Sequence, residues 1–488
     1  MAPERRPRRP ISPAAAAGWL SLALVGLAVG WGLPLDDFWL TIASGRLIAS
    51  GADPAHALPF TFTPMREGAL NPQWLVQVVW STLPVGGALA LHAALVLGGL
   101  AVALWLALGT SSRRATALAA LLTIAVLGPH LLPRTQSFSI ALFPIAVALL
   151  DRFASRPWMP IAYGLLMIVW ANVHGAFVIG ELVAAGYVVG AVLPSILPGS
   201  AALGSRELRH RALALGLSIV APLLNPAGFD LLVYAYTQSA DPVVRAVSTE
   251  WQPAWPWLPI AMPLWLLLAA LVVLRSWRGI GVPQRLVALG LLALALMSVR
   301  SIPWFVLFAL PALAMSIDRL LGHRRRIGRA VGAIGSAWEG RGAATLAVAA
   351  AAILAFQLVR PLLPAPLARL TTEEPAQLVD VLQAKLDAKG QARIFNEQSW
   401  GGYLVYRLDA RVQTYLDGRI ETAPGAVWRR YYAIIAGDGS VEELRSLDID
   451  WVLVKPVHRR LLDLLDAAGY QRVAESSIGV LLRAPAAA

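Results

Sequence analysis

Long apolar runs alternate with short polar breaks through the first three-quarters of the chain, and the pattern stops near residue 365. Eleven apolar spans can be drawn: 14–34, 84–108, 115–132, 137–151, 158–171, 174–196, 211–225, 257–274, 282–299, 302–318 and 343–362. Most approach or exceed the roughly 18 residues needed to cross a bilayer as a helix. The spans at 137–151 and 158–171 are short, and only "NVHG" separates the fifth from the sixth. Beyond residue 365 the period changes. "EEPAQLVDVLQAKLDAKG" predicts an amphipathic helix ended by Gly390. "ARIFN", "RVQTYLD", "DWVLVKP", "YQRVAES" and "GVLLRA" predict short strands, with helical "AVWRRYYAIIAG", "SVEELRSL" and "HRRLLDLLDAAG" between them. The expected fold is therefore a polytopic α-helical membrane protein with about eleven transmembrane helices and a small C-terminal α/β domain. It divides into a basic tail (1–13), a transmembrane region (14–365) and the α/β domain (366–488).

Composition sharpens this picture. The chain is 57% hydrophobic and 14% charged, against about 25% charged for a soluble domain. It has no cysteine, which excludes disulfides and thiolate metal sites. The net charge of +12 would suggest nucleic acid if it lay on one soluble face, but its distribution says otherwise. With the first span entering from the cytoplasm, the inner segments ("MAPERRPRRP", "SSRR", "DRFASRP", "GSRELRHR", "RSWRGIGVPQR" and 318–341) hold about 20 arginines. The outer segments before residue 343 hold only Arg46, Arg66, Arg134, Arg245 and Arg300. Basic loops stay on the cytoplasmic side, so the charge reports topology. The N-terminus is expected inside and the C-terminal domain outside the cytoplasmic membrane. "RRPRRP" and the run after it also resemble an export signal, but no clear A-x-A site follows, so a retained first helix is expected.

The expected outer face collects the polar chemistry. Its first loop, 35–83, carries the adjacent carboxylates Asp36 and Asp37, then "FWLTIASGRLIASG" and "NPQWLVQVVWSTL". Both stretches predict amphipathic helices lying along the membrane surface, the first with Trp39 at the interface and the second with Pro72 in its first turn. Later outer edges add Arg134, Asn172 with His174, Glu250 beside Trp251, and Arg300. Ionisable residues at this depth are costly and default to a functional reading. Each also has a plain structural reading. The aspartates can cap a helix, His174 can fill a helix contact, the arginines can snorkel, and Glu250-Trp251 can anchor at the interface. Together the groups suit one task. A carboxylate can deprotonate a hydroxyl or bind a divalent cation, arginines can hold a phosphate, and apolar walls can hold an isoprenoid chain. In the tail, "YLDGRIE" places Asp417, Arg419 and Glu421 just past a strand, where α/β sheets often meet ligands. These residues are expected either to cap the cavity and read the acceptor or to form an internal Asp–Arg pair. No Gly-rich phosphate loop, Walker motif, HExxH or GxSxG is present, which argues against nucleotide use and common hydrolase chemistry.

The order "LDDFWLTIASGRLIASG…PFTFT…NPQWLVQVVW", "NVHGAFVIG", "NPAGFDLLVYA", "EWQPAW" and "QTYLDGRIE" resembles bacterial membrane proteins described as glycosyltransferase-like. The long first outer loop with paired acids, the many spans and the tail domain are similar to the C-type superfamily of membrane glycosyltransferases. That resemblance implies transfer of a sugar from a polyprenyl-phosphate donor to a glycan, lipid or protein acceptor of the cell envelope. It implies Asp36 and Asp37 as the acidic motif, one acting as base or holding Mg²⁺ or Mn²⁺, with Asp37 the candidate ligand. Arg134, Arg300, His174, Glu250 and Asn172 are candidates for the donor phosphate and substrate from their predicted side alone. No "WWD" motif is present, which disfavours transfer to protein asparagine. Two rivals belong to other classes: a flippase of lipid-linked glycans and a non-catalytic scaffold presenting the tail domain. Neither nucleic acid nor nucleotide is an expected partner.

Overall fold

The computed structural model describes residues 34–196, 205–253, 279–327, 374–386 and 391–485. The expected spans 14–34, 257–274 and 343–362, the basic tail and Gly390 lie outside the described residues. The expected spans that fall within them are helices: α3 (Val85–Leu108), α4 (Arg113–Leu127), α5 (Gln136–Arg152), α6 (Met159–Val173), α7 (Phe177–Ile196), α8 (Ser205–Val220), α11 (Val282–Met297) and α12 (Ile302–Ile327). Between α8 and α11 run two short helices, α9 (Phe229–Thr237) and α10 (Pro242–Val247). Among the described residues, Val85–Leu108 and Val299–Leu320 are long and apolar enough to cross a membrane, and α8 with α9 form a pair bent by 105°.

The helices pack as a bundle, α3 on α5 and α12, α4 on α12, α7 on α8 and α11, and α6 on α8. Their outer faces stay apolar: Ile161 and Leu165 of α6, Val189 of α7 and Ile219 of α8 are all at least half exposed. A helix that is apolar all round wants an apolar medium outside as well as a core inside. The arginine-rich stretch read as a loop before span 211–225 forms the first turns of α8 instead. His210 and Arg211 turn inward there, and their ring and guanidinium nitrogens lie 2.8 and 3.0 Å from the Ala154 and Leu150 carbonyls beyond and near the end of α5. Basic side chains satisfy helix-end carbonyls, so these charges are structural.

The C-terminal sheet has strands β1 (Ala392–Asn396), β2 (Val412–Thr414), β3 (Trp451–Val454), β4 (Gln471–Glu475) and β5 (Val480–Arg483). The order is β2-β1-β3-β5-β4, with β2, β1 and β3 parallel and β5 antiparallel to both β3 and β4. Successive side chains point to opposite faces of a strand. One face, with Phe395, Val452 and Leu482, packs under α15 (Gly425–Ala436), α16 (Ser440–Ser446) and α17 (Arg459–Ala467). The other, with Ile394, Leu453 and Leu481, packs on α13 (Ala376–Lys385) and α14 (Gly401–Leu408) and is continuous with the bundle core.

The joint between bundle and sheet is the first loop. α1 (Asp36–Ala49) was expected on a membrane surface, but it is buried between α2 (Trp74–Ser81) and α14. Trp39 is fully buried rather than interfacial, with its ring 5.5 Å from Tyr403 and 4.7 Å from Tyr406 of α14. Phe38 continues the stack to Trp80 of α2 at 5.0 Å. A face of Phe, Trp, Leu and Ile is equally suited to a lipid surface and to a protein partner, and here α14 supplies the partner. Pro72 precedes the N-cap residue Gln73 rather than opening α2. Farther along, Phe60–Thr63 runs beside β2: Phe62 N donates to Thr414 O (3.1 Å), Thr414 N to Phe60 O (3.1 Å), and Thr63 Oγ1 to Tyr415 O (2.7 Å).

Removing the ring that staples the two halves should be costly. Trp39→Ala is expected to destabilise by about 3–5 kcal/mol, as for buried aromatics generally, read as a fall in the thermal midpoint of detergent-purified protein. Leu165→Ala, on the exposed face of α6, is expected to change the midpoint little.

Candidate functional site

Two carboxylates open α1. Leu35 is the N-cap residue and uses no side-chain bond, so Asp36 and Asp37 are the first helical residues, not caps. Negative charge is favourable at a helix start. Their two side chains then diverge. Asp36 turns inward and is 8% exposed. Its Oδ1 accepts from the backbone N–H of Gly402 (2.5 Å) and Tyr403 (3.2 Å), the first turn of α14. Its Oδ2 is buried and has no hydrogen-bond partner among the described residues. Burial, followed by the nearby Glu374, Asp37 and Asp417 carboxyls, pushes Asp36 well above the ordinary carboxylate range. Asp37 turns toward a cavity of about 970 Å³ between bundle and sheet.

Arg134 fixes Asp37. It comes from the segment between the 3₁₀ turn Gly128–His130 and α5, and its Nε (2.9 Å) and Nη2 (2.5 Å) both donate to Asp37 Oδ2. Its Nη1 donates to Glu250, which sits in the 3₁₀ turn Thr249–Trp251. Glu250 Oε2 accepts from Arg300 Nη1 at 3.4 Å, and Arg300 Nη2 lies 3.3 Å from His174 Nε2. Arg300 also faces the Trp251 ring at 5.3 Å. Burial alone would weaken the charge on Arg134, but Asp37 and Glu250 outweigh it and raise the guanidinium further. Burial likewise works against ionised Glu250, but Arg134 and Arg300 hold that carboxyl below its usual range. The result is one chain, Asp37–Arg134–Glu250–Arg300–His174, across five separate segments. His174 ends α6 and is fixed from behind by Ser139 Oγ, 2.8 Å from its Nδ1; that oxygen in turn accepts from Trp170 Nε1. The turn bearing Arg300 is tied to the Glu250 turn by Ser298 Oγ on Glu250 O (3.0 Å) and Val299 N on Gln252 O (3.1 Å).

The sheet forms the opposite wall. The carboxyl ends of the parallel strands meet the cavity through Gln398 after β1, Gly418, Arg419 and Glu421 after β2, and Lys455 after β3. Asp417 is buried outside the lining. It accepts from Arg419 N (2.9 Å) and from the Arg419 guanidinium, while Arg419 Nη1 donates to Leu58 O (2.8 Å). The pair is the internal Asp–Arg brace, and it ties the turn to the first loop. Glu421 accepts from Tyr234 Oη at 3.3 Å, and burial raises its carboxyl. Asn172 also stands outside the lining: its Oδ1 accepts from Trp74 Nε1 (2.6 Å), which positions α2.

Several lining groups were not singled out from the sequence. Gln398 and Lys455 follow strand ends, and the signal for them was the expectation that the carboxyl edge of a parallel sheet faces ligands. Glu374 lies in the first residues of the predicted "EEPAQLVDVLQAKLDAKG" stretch but ahead of α13, which begins at Ala376. Asp37 Oδ2 already receives two N–H groups of Arg134, and among the described residues no three His, Cys, Asp or Glu side chains converge as ligands.

No family model matches this sequence, and no curated protein does. Solved structures do. The crystal structure of ArnT from Cupriavidus metallidurans bound to undecaprenyl phosphate is similar, with TM-score 0.53 and 15% identity, over 96% of this chain and 97% of that one. The apo crystal structure of the same protein is similar with TM-score 0.55 and 14% identity, over 96% and 98%. From end to end, then, the bundle, the first loop and the C-terminal sheet are assembled in the fold of ArnT.

Proposed function

We propose that this protein is a membrane glycosyltransferase that moves a sugar from a polyprenyl-phosphate donor to a cell-envelope acceptor at the outer face of the cytoplasmic membrane. One observation carries the reading: a chain with the ArnT fold places Asp37, two arginines and an amphiphilic cavity at the junction of an apolar bundle and a polar domain. One of the ArnT structures holds undecaprenyl phosphate, a ligand with the long apolar tail and anionic head that such a junction suits. Sequence motifs point the same way, through the acidic pair in the first loop.

The geometry divides the labour. Asp37 is the base: it reaches the cavity and is held by Arg134 through one oxygen, which leaves the other for the acceptor. Arg134 is a positioning residue, its donors spent on Asp37 and Glu250. Arg300 binds the donor phosphate. Its link to Glu250 is long, so a phosphate can replace it, and the Trp251 face keeps the guanidinium in place. The acceptor oxygen bonds to the anomeric carbon and gives its proton to Asp37. The bond from that carbon to the phosphate oxygen breaks, and the electron pair leaves with the phosphate. A phosphate needs no proton to leave, and no step is routed through a metal ion. Asp36 stands behind this chemistry, buried and with its carboxyl pushed well above the ordinary range.

Four outcomes test the reading. In membranes supplied with polyprenyl-phosphate sugars, Asp37→Asn is expected to lose at least about 100-fold in transfer rate, the lower range for general base removal. Arg300→Ala is expected to act mainly on donor KM; equal loss from both in kcat alone would reassign Arg300. For Asp36 the sign follows from linkage. Between 3.8, its ordinary value, and the raised folded value, the folded chain keeps a proton that the unfolded chain releases. Stability therefore falls as pH rises through that interval. The thermal midpoint of Asp36→Asn relative to wild type should climb with pH over the same range. The absence of native cysteine allows direct topology mapping. A thiol introduced at exposed Glu67 is expected to react with an impermeant reagent from outside the cell, and one at exposed Arg113 only after lysis.

A further inference from the structure

A second hollow, of about 300 Å³, lies beside the large cavity. Three segments frame it: the first-loop turn 66–70, the end of α9 with the 3₁₀ turn Gln238–Ala240, and the 3₁₀ turn Ile420–Thr422 after β2. Arg66 locks all three. Its guanidinium donates through both terminal nitrogens to Asp241, which caps α10, and through Nε to Ala423 O (3.2 Å); its backbone N–H donates to Thr422 O (2.8 Å). The hollow is therefore preformed. Its rim residues Glu67, Gly68, Thr237 and Ala240 are exposed, and none is a large apolar side chain, so this entrance suits water and not lipid tails. Leu70, Tyr234, Gln238 and Glu421 line both the hollow and the large cavity and form the sill between them. The sill is tied by a long bond, Tyr234 Oη to Glu421 Oε1 at 3.3 Å. Glu421 also stands near enough to Arg300 and Asp37 to feel both charges. The hollow thus reaches the proposed reaction centre from the side, across one sill.

The wall chemistry selects the ligand. Among the lining residues the only cation is Arg66, and it is spent on Asp241 and the Ala423 carbonyl. Glu67 and Glu421 add carboxyls, Tyr234 a phenol and Gln238 an amide. An anion entering here would meet carboxyls with no cation left to offset its charge. The hydroxyls of a sugar ring can donate to carboxylates and bond in either sense with an amide or a phenol. The volume is at the small end of ligand sites, which span about 300–1,000 Å³, and suits a ring and not a long chain. We propose that this hollow is an outer acceptor subsite, which holds an uncharged sugar ring next to the unit whose hydroxyl is attacked in the large cavity. The inference rests on the glycosyltransferase reading and deepens it: the acceptor is a glycan of more than one sugar, and it straddles the sill over Tyr234 and Glu421. Binding of the ring that does not react then orients the one that does.

Thr237, on the rim, is the place to test it. Its hydroxyl bonds to carbonyls of its own helix, Val233 O (2.7 Å) and Tyr234 O (3.4 Å), so Thr237→Cys should fold as wild type does. The chain has no native cysteine, so a thiol placed there is labelled alone. Asp230→Cys, exposed on the same helix and outside both linings, is the control. Each variant of the full-length chain is labelled in opened membranes with a methylthio group, with a biotin maleimide, or with aminoethyl or sulfonatoethyl methanethiosulfonate. Sugar transfer from polyprenyl-phosphate donors is measured, together with the thermal midpoint of the purified labelled protein with and without undecaprenyl phosphate. At position 237 the maleimide adduct should transfer about tenfold or more slowly than the methylthio adduct, because a remote part of the acceptor is displaced. At position 230 the two adducts should transfer alike. Stabilisation by undecaprenyl phosphate should persist in all of them. The aminoethyl and sulfonatoethyl adducts at 237, similar in size and opposite in charge, should slow transfer alike. Transfer by the maleimide adduct within about threefold of the methylthio adduct overturns the subsite. Loss of the undecaprenyl phosphate effect with that adduct also overturns it, since the hollow would then lie on the donor's path. A split of about tenfold or more between the two charged adducts overturns the uncharged ring. A wild-type chain that transfers no sugar sinks the glycosyltransferase reading itself; one that transfers and ignores the adduct sinks the subsite alone.

Discussion

The site depends on one guanidinium. Arg134 is placed between Asp37 and Glu250, and Glu250 in turn holds Arg300. Each charge in this row is bought out of water by its neighbour, because a half-buried ion without a partner is far more costly than a paired one. The row also crosses the primary structure, from the start of α1 through the segment before α5 to the turns at 249–251 and 299–301. No single element could hold it. The bundle places these segments side by side, and the ion row then sets the relative register of their ends.

A second constraint acts at right angles to the first. The Trp39 stack, the Gly402 and Tyr403 amides and the Phe60–Thr63 pairing all bind the first loop to the sheet. Asp36 and Asp37 are neighbours in sequence, but one is held by the sheet side and the other by the bundle side. The site is thus an interface in which adjacent carboxyls are presented differently, one buried with its carboxyl pushed well above the ordinary range, the other ion-paired. That split gives two acids in one loop different electrostatic settings.

Much of this was legible in the sequence, for definite reasons. Apolar runs longer than a turn-rich segment can be have few alternatives to helix, and the strands of the tail carry Val, Ile, Trp and Leu between polar breaks. Sorting polar residues by the charge of their flanking loops named Asp36, Asp37, Arg134, His174, Glu250 and Arg300, and the structure gathers all six around one cavity. What local pattern does not carry is the identity of a partner surface. The aromatic face of α1 looks the same whether lipid or α14 covers it. α14 itself opens with Gly401 and Gly402, poor helix formers, and exists because both glycines allow close approach. Asn172 had the right depth and company, yet its amide is spent on Trp74. Lys455 and Gly418 become visible only once the strand order is known, since their position follows from which strands lie parallel in the centre of the sheet.

The pairing of Thr63 with Tyr415 has a consequence in time. These residues are 352 apart, so one of the earliest segments to emerge from the ribosome waits for one of the last. Until the tail is made, Trp39 lacks the Tyr403 and Tyr406 rings and Asp36 lacks the amides that anchor it. Synthesis and insertion of the intervening helices must be complete before the two ends can close on each other. A chain cut short anywhere in between lacks both the strand that Phe60–Thr63 runs beside and the amides that anchor Asp36, so the closed cavity is itself a sign that the whole polypeptide has been delivered.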